Sequence, residues 1–581
     1  MAQPISSPLQ LLPLHVVKLI IVHVTSSSRL VYDGVYADSP EYKELLKPLL
    51  SVSHNFRVIA LSYYWKTFEV NLTNEVLGDL PGYRPPFGAV EDACNRADYL
   101  GYPTNHLAKE VTVYWDGHAV FSGEASDKLS GVPYVNIVFP LARKVTFVDV
   151  EDYTKYDKDS VADLASTDAN ICEFVQRIKH MAPSISEIQV ELADHSGYPD
   201  LPNQSYSDLI SQLYQLVSRI GYGYVFERED PIRLRLGTTG NLTHISLRSG
   251  ISSDSVDEFI RLAKKNAPTL QSLFIENEHK IGLDVLSLVQ DADGRHITYL
   301  HLTGLSLCDY SSDKKLSRPT FLGATPFPGL RRLAVTLNNP FGDDTLFRGN
   351  AATLERLFYL LDVEDIAMLR KYKVFAPDSH PKLQAVQLCL PGNFRLESFT
   401  SPAETMRFLH NIGSGAAVRE YTVYAKVDIL SSFDGHASIQ VLSLRNLPLK
   451  FATVVALVKS LPLLSDMHTG TPILGQMPDG ITMDTLPEYV VSQYAPMGKR
   501  FCFWSIDNGY SLSDNNLETW VTCVLLLALA CPNFDYAAPP NLTRKPFMEQ
   551  MEKGIASDHF KPYAPRLRRL LFLGWNGNNE Y

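Results

Sequence analysis

One short pattern recurs along this chain and limits what it can fold into. A proline is followed, with fixed gaps, by three aliphatic or phenylalanine positions (Φ): Pro-x-Φ-x-x-Φ-x-Φ. It reads "PSISEIQV" from Pro183, "PTLQSLFI" from Pro268, "PGLRRLAV" from Pro328, "PKLQAVQL" from Pro381 and "PRLRRLLF" from Pro565. With 36 prolines in the chain, roughly one full match is expected by chance for a template of this kind, so five is an excess. Copies without the proline fill the gaps: "LTHISL" from Leu242, "ITYLHL" from Ile297, "LERLFY" from Leu354, "VREYTV" from Val418 and "IQVLSL" from Ile439. "PLLSDMHT" at Pro462 is a weaker member, and "ARKVTF" at Ala142 is read as the first.

The core copies start at 242, 270, 297, 330, 354, 383, 418, 439 and 464, a mean interval of about 28 residues that matches the leucine-rich-repeat period. Helical spacing fills several intervals: Ile171, Phe174, Val175 and Ile178 precede Pro183, and Val256, Phe259, Ile260 and Ala263 precede Pro268. "SPAE" at Ser401 reads as the capping box of another helix. Each proline ends a helix and pushes the residue before it into an extended conformation. The Φ-x-Φ that follows is a short strand with one buried face. A single strand–helix unit cannot bury that face alone, so neighbours must stack. The expected fold is an α/β solenoid, a leucine-rich-repeat-like horseshoe with a parallel inner sheet, running from 105 to 581. "KRFCFWSID" (Lys499–Asp507) is expected to be a further strand, and "ACPNF" at Cys531 repeats the helix-to-strand punctuation. Arg566, Arg568 and Arg569, alternating with leucines, are expected to form a solvated strand face. The competing fold is a non-repetitive α/β domain.

The N-terminus is of another kind. "LLPLHVVKLIIVHV" (Leu11–Val24) is apolar, but nothing basic precedes it and Pro13, His15, Lys18 and His23 interrupt it. A secretory signal wants a basic start and an unbroken apolar stretch, and a spanning helix needs about 20 apolar residues. The run "CVLLLALAC" at Cys523 is also too short. Both are expected to be core helices. Helices are further expected from "SPEY" at Ser39 and through "VSHNFRVIALSYYWKTF", where Val52, Phe56, Ile59 and Tyr63 share one face. Residues 9–68 thus read as a small α-helical bundle, followed by a Gly- and Pro-rich connecting segment at 69–104.

This stretch resembles the F-box, the module that tethers substrate receptors to a Skp-type adaptor in cullin-based ubiquitin ligases. The family pattern opens with Leu-Pro and apolar residues, and closes on Val-Cys-x-x-Trp/Phe-Arg-x-x-Ala. This chain has Leu12-Pro13, then Val16, Val17, Ile20 and Val24, and later Val52-Ser53-His54-Asn55-Phe56-Arg57 followed by Ala60. Ser53 stands where cysteine is usual, and the stretch joining the first two helices is longer than in the family. The resemblance implies an adaptor-binding surface formed by Leu12, Pro13, Val16, Val17, Ile20, Val52 and Phe56. It implies as partners a Skp-type adaptor and the cullin ligase core, with an unknown target held by the repeats. The competing reading is a helical cap on the repeat domain.

Composition narrows the function classes. The 53 basic residues against 64 acidic give a net charge of −11, which argues against nucleic acid or an anionic membrane as the main partner. Seven cysteines are scattered singly, without metal-site spacing, as in a reduced protein of the cytoplasm or nucleus. No nucleophile elbow, zinc-protease, phosphate-loop or dinucleotide signature occurs. "DADG" at Asp291 lacks the further ligands of a calcium loop. No cofactor, metal or catalytic residue is therefore expected, although a site assembled from distant residues stands as a third reading. Binding residues come from strand geometry, since those flanking the second Φ point away from the core. They are His244, Ser246, Ser272, Phe274, Tyr299, His301, Arg332, Arg356, Phe358 and Gln387, and the aromatics among them predict a neutral-to-apolar strip.

Overall fold

The structure, a computed structural model, describes residues 16–17, 54–72, 104–115, 117–131, 137–149, 167–192, 203–224, 234–236, 239–247, 253–276, 297–303, 328–336, 352–360, 380–389, 417–424, 436–445, 449–469, 474, 481–494, 503–506, 514–531, 535–537 and 544–572. The chain divides into two compact units. The first holds residues up to 296 with 304–309, and the second holds 297–303 with 310–581.

In the first unit the strands are β1 (Thr67–Asn71), β2 (Glu110–Trp115), β3 (Lys144–Asp149), β4 (Glu187–Leu192), β5 (Arg219–Tyr224), β6 (His244–Leu247) and β7 (Ser272–Glu276). Each pairs in parallel with the next in sequence order. Parallel strands need a crossover between them. The described crossover helices include α2 (Gly117–Ser122), α3 (Glu124–Ser130), α4 (Thr167–Met181), α5 (Asn203–Tyr214) and α6 (Ser253–Asn266), with α1 (His54–Tyr64) ahead of β1. The register stacks like residues into rungs. Val70, Val113, Phe147, Val190, Tyr222, Leu247 and Ile275 lie side by side, and all are buried. Each such side chain contributes about 1.5–3 kcal/mol when withdrawn from water, but only beside its neighbours' rungs.

The second unit repeats this logic with β8 (Tyr299–Thr303), β9 (Arg332–Thr336), β10 (Arg356–Leu360), β11 (Ala385–Cys389), β12 (Glu420–Tyr424), β13 (Val441–Arg445), β14 (Asp466–Thr469), β15 (Phe503–Ile506) and β16 (Asp535–Ala537). All are parallel and in sequence order. Its buried rung runs Leu300, Leu333, Leu357, Val386, Tyr421, Leu442 and Met467. Its helices include α7 (Phe451–Ser460), α8 (Leu486–Tyr494), α9 (Asp514–Ala530), α10 (Arg544–Ala556) and α11 (Ala564–Leu567). From Trp520 to Cys531 every residue but Thr522 is buried, because α8, α10 and α11 pack around α9. Gly554 lets α10 approach: a Cβ there would lie 2.9 Å from Leu525 Cδ1. Among the described residues no helix is long and apolar enough to cross a membrane. Both units are α/β solenoid segments of the leucine-rich-repeat-like kind.

The prolines do more than stop helices. The first Φ of several strands donates its N–H to the carbonyl three residues earlier, closing a β-turn. Ile185 donates to Ala182 O at 3.1 Å, Leu383 to His380 O at 3.1 Å and Leu464 to Leu461 O at 3.0 Å. Pro183, Pro381 and Pro462 occupy the second turn position, where the ring already holds the required φ. Ile439 makes the same bond to His436 O at 3.2 Å with alanine in proline's place.

Three expectations need correction. "PRLRRLLF" is not a strand: Ala564–Leu567 is α-helical and Arg568–Phe572 is 3-10 helix. Its first two Φ, Leu567 and Leu570, are three apart and both buried, which suits one face of a helix equally well. Pro565 sits in the first helical turn, where its missing N–H costs nothing. The arginines there consequently line a helix rather than a strand. Second, the boundary between a bundle ending at 68 and a connector starting at 69 falls inside β1, so helix–strand stacking begins well before 105. Third, among the described side chains of α1 Phe56, Ala60 and Leu61 are buried, whereas Ile59 is half-buried. The helix expected at Ser39, the connector beyond Leu72 and the capping box at Ser401 lie outside the described residues.

Candidate functional site

Two surfaces follow from the pleat. In each unit the positions between the buried rungs form rows on the opposite sheet face, in register across the strands.

In the first unit that row is Thr67, Glu110, Lys144, Glu187, Arg219, His244 and Ser272. Its charges alternate and pair. Lys66 meets Glu110 at 2.8 Å, Lys144 meets Glu187 at 3.8 Å, and Arg219 meets Glu187 at 3.0 Å. These pairs are partly exposed and each contributes little to stability. Their consequence is that the row is electrically self-contained. His244 closes it: burial, with Arg219 second, lowers its imidazole pKa to about 4, so it is neutral at pH 7. Its Nδ1 lies 2.8 Å from Thr243 Oγ1. The next row runs Glu69, Thr112, Thr146, Gln189, Gly221, Ser246 and Phe274, and a Cβ on Gly221 would press on Gln189 Cγ at 3.3 Å.

The His244 shift carries a pH consequence. The unfolded chain holds a proton on this ring below about 6.5, whereas the folded chain holds one only below about 4. The unfolded state therefore binds more protons between those values, and stability must fall as pH drops through that window. His244→Gln is expected to flatten that part of the curve of urea midpoint against pH. An unchanged slope would show that the ring is not what titrates.

The second unit differs. Its row runs Tyr299, Arg332, Arg356, Ala385, Glu420, Val441 and Asp466. Arg332 and Arg356 are direct register partners and both are exposed. Among the described residues neither has an ion-pair partner: Glu355 lies 3.8 Å from Arg331 instead. Glu420 stands two strands from Arg356, about 10 Å at normal strand spacing. One pleat further on, Ala334, Phe358, Gln387, Thr422, Ser443 and His468 align. Ala334, Ser443 and His468 are buried, whereas Phe358, Gln387 and Thr422 are half-buried.

The sequence-derived residues separate accordingly. His244, Ser246 and Phe274 fall in the first unit, all half-buried, and Ser246 pairs in register with Phe274. Tyr299, Arg332, Arg356, Phe358 and Gln387 come together in the second. His301 occupies the position beside Ala334, and its side chain lies outside the description. Ser272 lies in the outward row but is buried there. Beside the half-buried Phe358 and Tyr299, Arg332 and Arg356 are exposed. Sequence reasoning missed the charge row of the first unit. The alternation was present in Glu110, Lys144, Glu187 and Arg219, but it became visible only when β2 and β5 were recognised as strands.

Of the adaptor-surface residues, Val17 and Phe56 are buried and Val16 is half-buried. Leu12, Pro13, Ile20 and Val52 lie outside the described residues. Helix α1 passes directly into β1, with Trp65 stacked on Phe68 at 5.3 Å and Phe68 against Phe139 at 5.4 Å. No group of three or more His, Cys, Asp and Glu able to hold a metal occurs among the described residues. Burial pushes the Cys531 thiol up to about 12, leaving it unreactive at neutral pH.

No model of a known protein family matches the sequence, and no curated protein shows significant similarity to it. Among solved structures, TLR13 from a TLR13–ssRNA13 complex aligns at 12% identity and a TM-score of 0.30. That alignment covers 69% of this chain and 62% of TLR13, so the chain spans less than two thirds of that neighbour. A Bacteroides fragilis protein aligns at 12% identity and a TM-score of 0.23, over 57% of this chain and 68% of the other. Both likenesses are slight, and the repeat architecture stands on its own strand pairing.

Proposed function

We propose that this chain is a protein-interaction scaffold, and more specifically the substrate-receptor subunit of a cullin-type ubiquitin ligase. The observation that carries the scaffold reading is the second unit's sheet face. It holds Arg332, Arg356, Tyr299 and Phe358 at fixed spacing on short parallel strands, and its exposed arginines are not neutralised by their described neighbours. Arginine and aromatic side chains on a rigid frame are the residue types that anchor protein partners. The receptor reading rests on the ordered Leu12-Pro13 and Val52 to Arg57 pattern at the N-terminus. The chain then performs no bond chemistry; it raises a target's effective concentration beside the ligase, in the cytoplasm or nucleus.

The burial of Val17 and Phe56 refines the docking surface. These two are buried, and contact with the adaptor is assigned to Leu12, Pro13, Val16, Ile20 and Val52. Co-precipitation of the full chain with a Skp-type adaptor tests this. Leu12→Asp with Val16→Asp is expected to abolish retention, while Arg332→Gln leaves it intact. A second reading, a scaffold that never meets a ligase, is favoured by the direct passage of α1 into β1. Failure of the wild type to retain any adaptor would select it.

A further inference from the structure

We infer that Arg332 and Arg356 form an oxyanion-binding pair, which receives an acidic or phosphorylated side chain from an extended segment of a partner protein. This rests on the scaffold reading and names the chemistry that the second face selects. Three observations carry it. The two guanidinium-bearing residues are direct register partners on adjacent parallel strands, β9 and β10, about 5 Å apart at the backbone. Both are exposed, and among the described residues neither is neutralised, since the nearby Glu355 is engaged by Arg331. The contrast with the first unit is the third: there Glu110, Lys144, Glu187 and Arg219 alternate in the equivalent row, Glu187 pairs with both Lys144 and Arg219, and Glu110 pairs with the adjacent Lys66.

Like charges placed directly opposite each other on a sheet cost stability, and an oxyanion between them removes that cost. Two planar forks at strand spacing can each donate two hydrogen bonds to one phosphate or to a carboxylate, which lysine cannot reproduce. The surroundings define the rest of the ligand. Tyr299 flanks Arg332 on β8, and Phe358 lies two residues beyond Arg356 beside Ala334. An extended peptide returns a side chain to the same face every second residue. The preferred segment therefore carries an anion and, two positions away, an apolar side chain to lie on Phe358. The net charge of −11 keeps acidic partners away from most of the surface, so this basic pair also selects where they land.

The test uses the full chain and three fluorescein-labelled decapeptides. They are identical except for a central phosphoserine, glutamate or serine, and each has leucine two positions away. Fluorescence anisotropy is expected to show the phosphoserine peptide, or both anionic peptides, binding at least about tenfold tighter than the serine peptide, as expected for a hydrogen bond to a charged group. Phosphoserine alone would identify a phosphorylated partner, and equal binding of the two an acidic one. Arg332→Gln with Arg356→Gln should abolish the preference, Arg332→Lys should weaken it, and Arg219→Gln in the paired row should leave it unchanged. Inorganic phosphate should displace the peptide from the wild type, a reading that needs no variant to fold. Equal binding of all three peptides, no binding by the wild type, or a preference that survives the double variant would overturn the inference. Adaptor retention with no peptide preference would sink this inference alone; peptide preference without adaptor would sink only the ligase assignment.

Discussion

Replacing Asn266 by leucine is expected to destabilise the first unit by about 4 kcal/mol, because each buried backbone group left without a partner costs about 1–3 kcal/mol. Asn266 ends α6 and is buried, and its side-chain amide works in two directions. Its Oδ1 accepts from the Leu242 N–H at 2.9 Å, and its Nδ2 donates to Thr239 O at 3.2 Å and Leu262 O at 2.9 Å. The stretch it clamps contains Asn241 in the left-handed region at φ 62°, and Leu242 is the buried residue that opens the approach to β6. Leucine would fill the space but offer neither donor nor acceptor, leaving Leu242 N–H and Thr239 C=O bare. Thr269, whose Oγ1 reaches Leu242 O at 2.8 Å, satisfies a different atom and cannot compensate. The checks are the urea midpoint of the full chain and amide exchange across 239–247. A loss under about 1 kcal/mol, the usual net worth of a single hydrogen bond, would mean that water replaces the amide.

The same residue shows where sequence reading stops. The strand after Pro268 was legible from spacing alone, because Leu273 and Ile275 alternate as a half-buried strand must behind Leu270, and all three are buried. That Asn266, closing the helix just ahead of that proline, would tie β6 to α6 was not, since its partners lie 24 and 27 residues earlier. Strands β3, β4 and β6 to β14 were readable because each copy carries its own local pattern. β1, β2 and β5 escaped. "EVTVYW" alternates well but follows no proline, and "RIGYGY" puts glycines on the face opposite the buried Ile220 and Tyr222, so no polar residue marks the alternation there. β1 was hidden because the helical spacing of α1 continues in sequence past Tyr64 to Phe68, whereas Trp65 folds back to stack on Phe68. The binding face was half legible. Alternation placed Arg332 and Arg356 outward, but only register shows them side by side while the first unit's charges cancel.

Replacing Gly117 by alanine should cost the first unit about 3 kcal/mol, at the upper end for forcing a methyl into a packed core. Gly117 opens α2 shortly after β2, and its reason for being glycine is space rather than backbone angle. A Cβ there would overlap the hydroxyl and Cζ of Tyr206 and lie 3.1 Å from Cε1. Tyr206 cannot swing aside, because its ring is buried between Trp115 at 5.8 Å and Phe121 at 5.1 Å. Those two aromatics belong to β2 and α2, so moving the ring would separate the strand from its own crossover helix. Trimming the other side of the clash separates this account from a general intolerance of alanine at a helix start. In Gly117→Ala with Tyr206→Phe the loss should be smaller than the sum of the two single losses, as contacting residues require. Gly131, where an added Cβ would meet only Lys128 O at 3.4 Å and Asp127 O at 3.6 Å, serves as the control and should tolerate alanine within about 1 kcal/mol, the ordinary size of a glycine-to-alanine change at a permissive site. Strict additivity in the double variant would place the strain elsewhere than the Tyr206 ring.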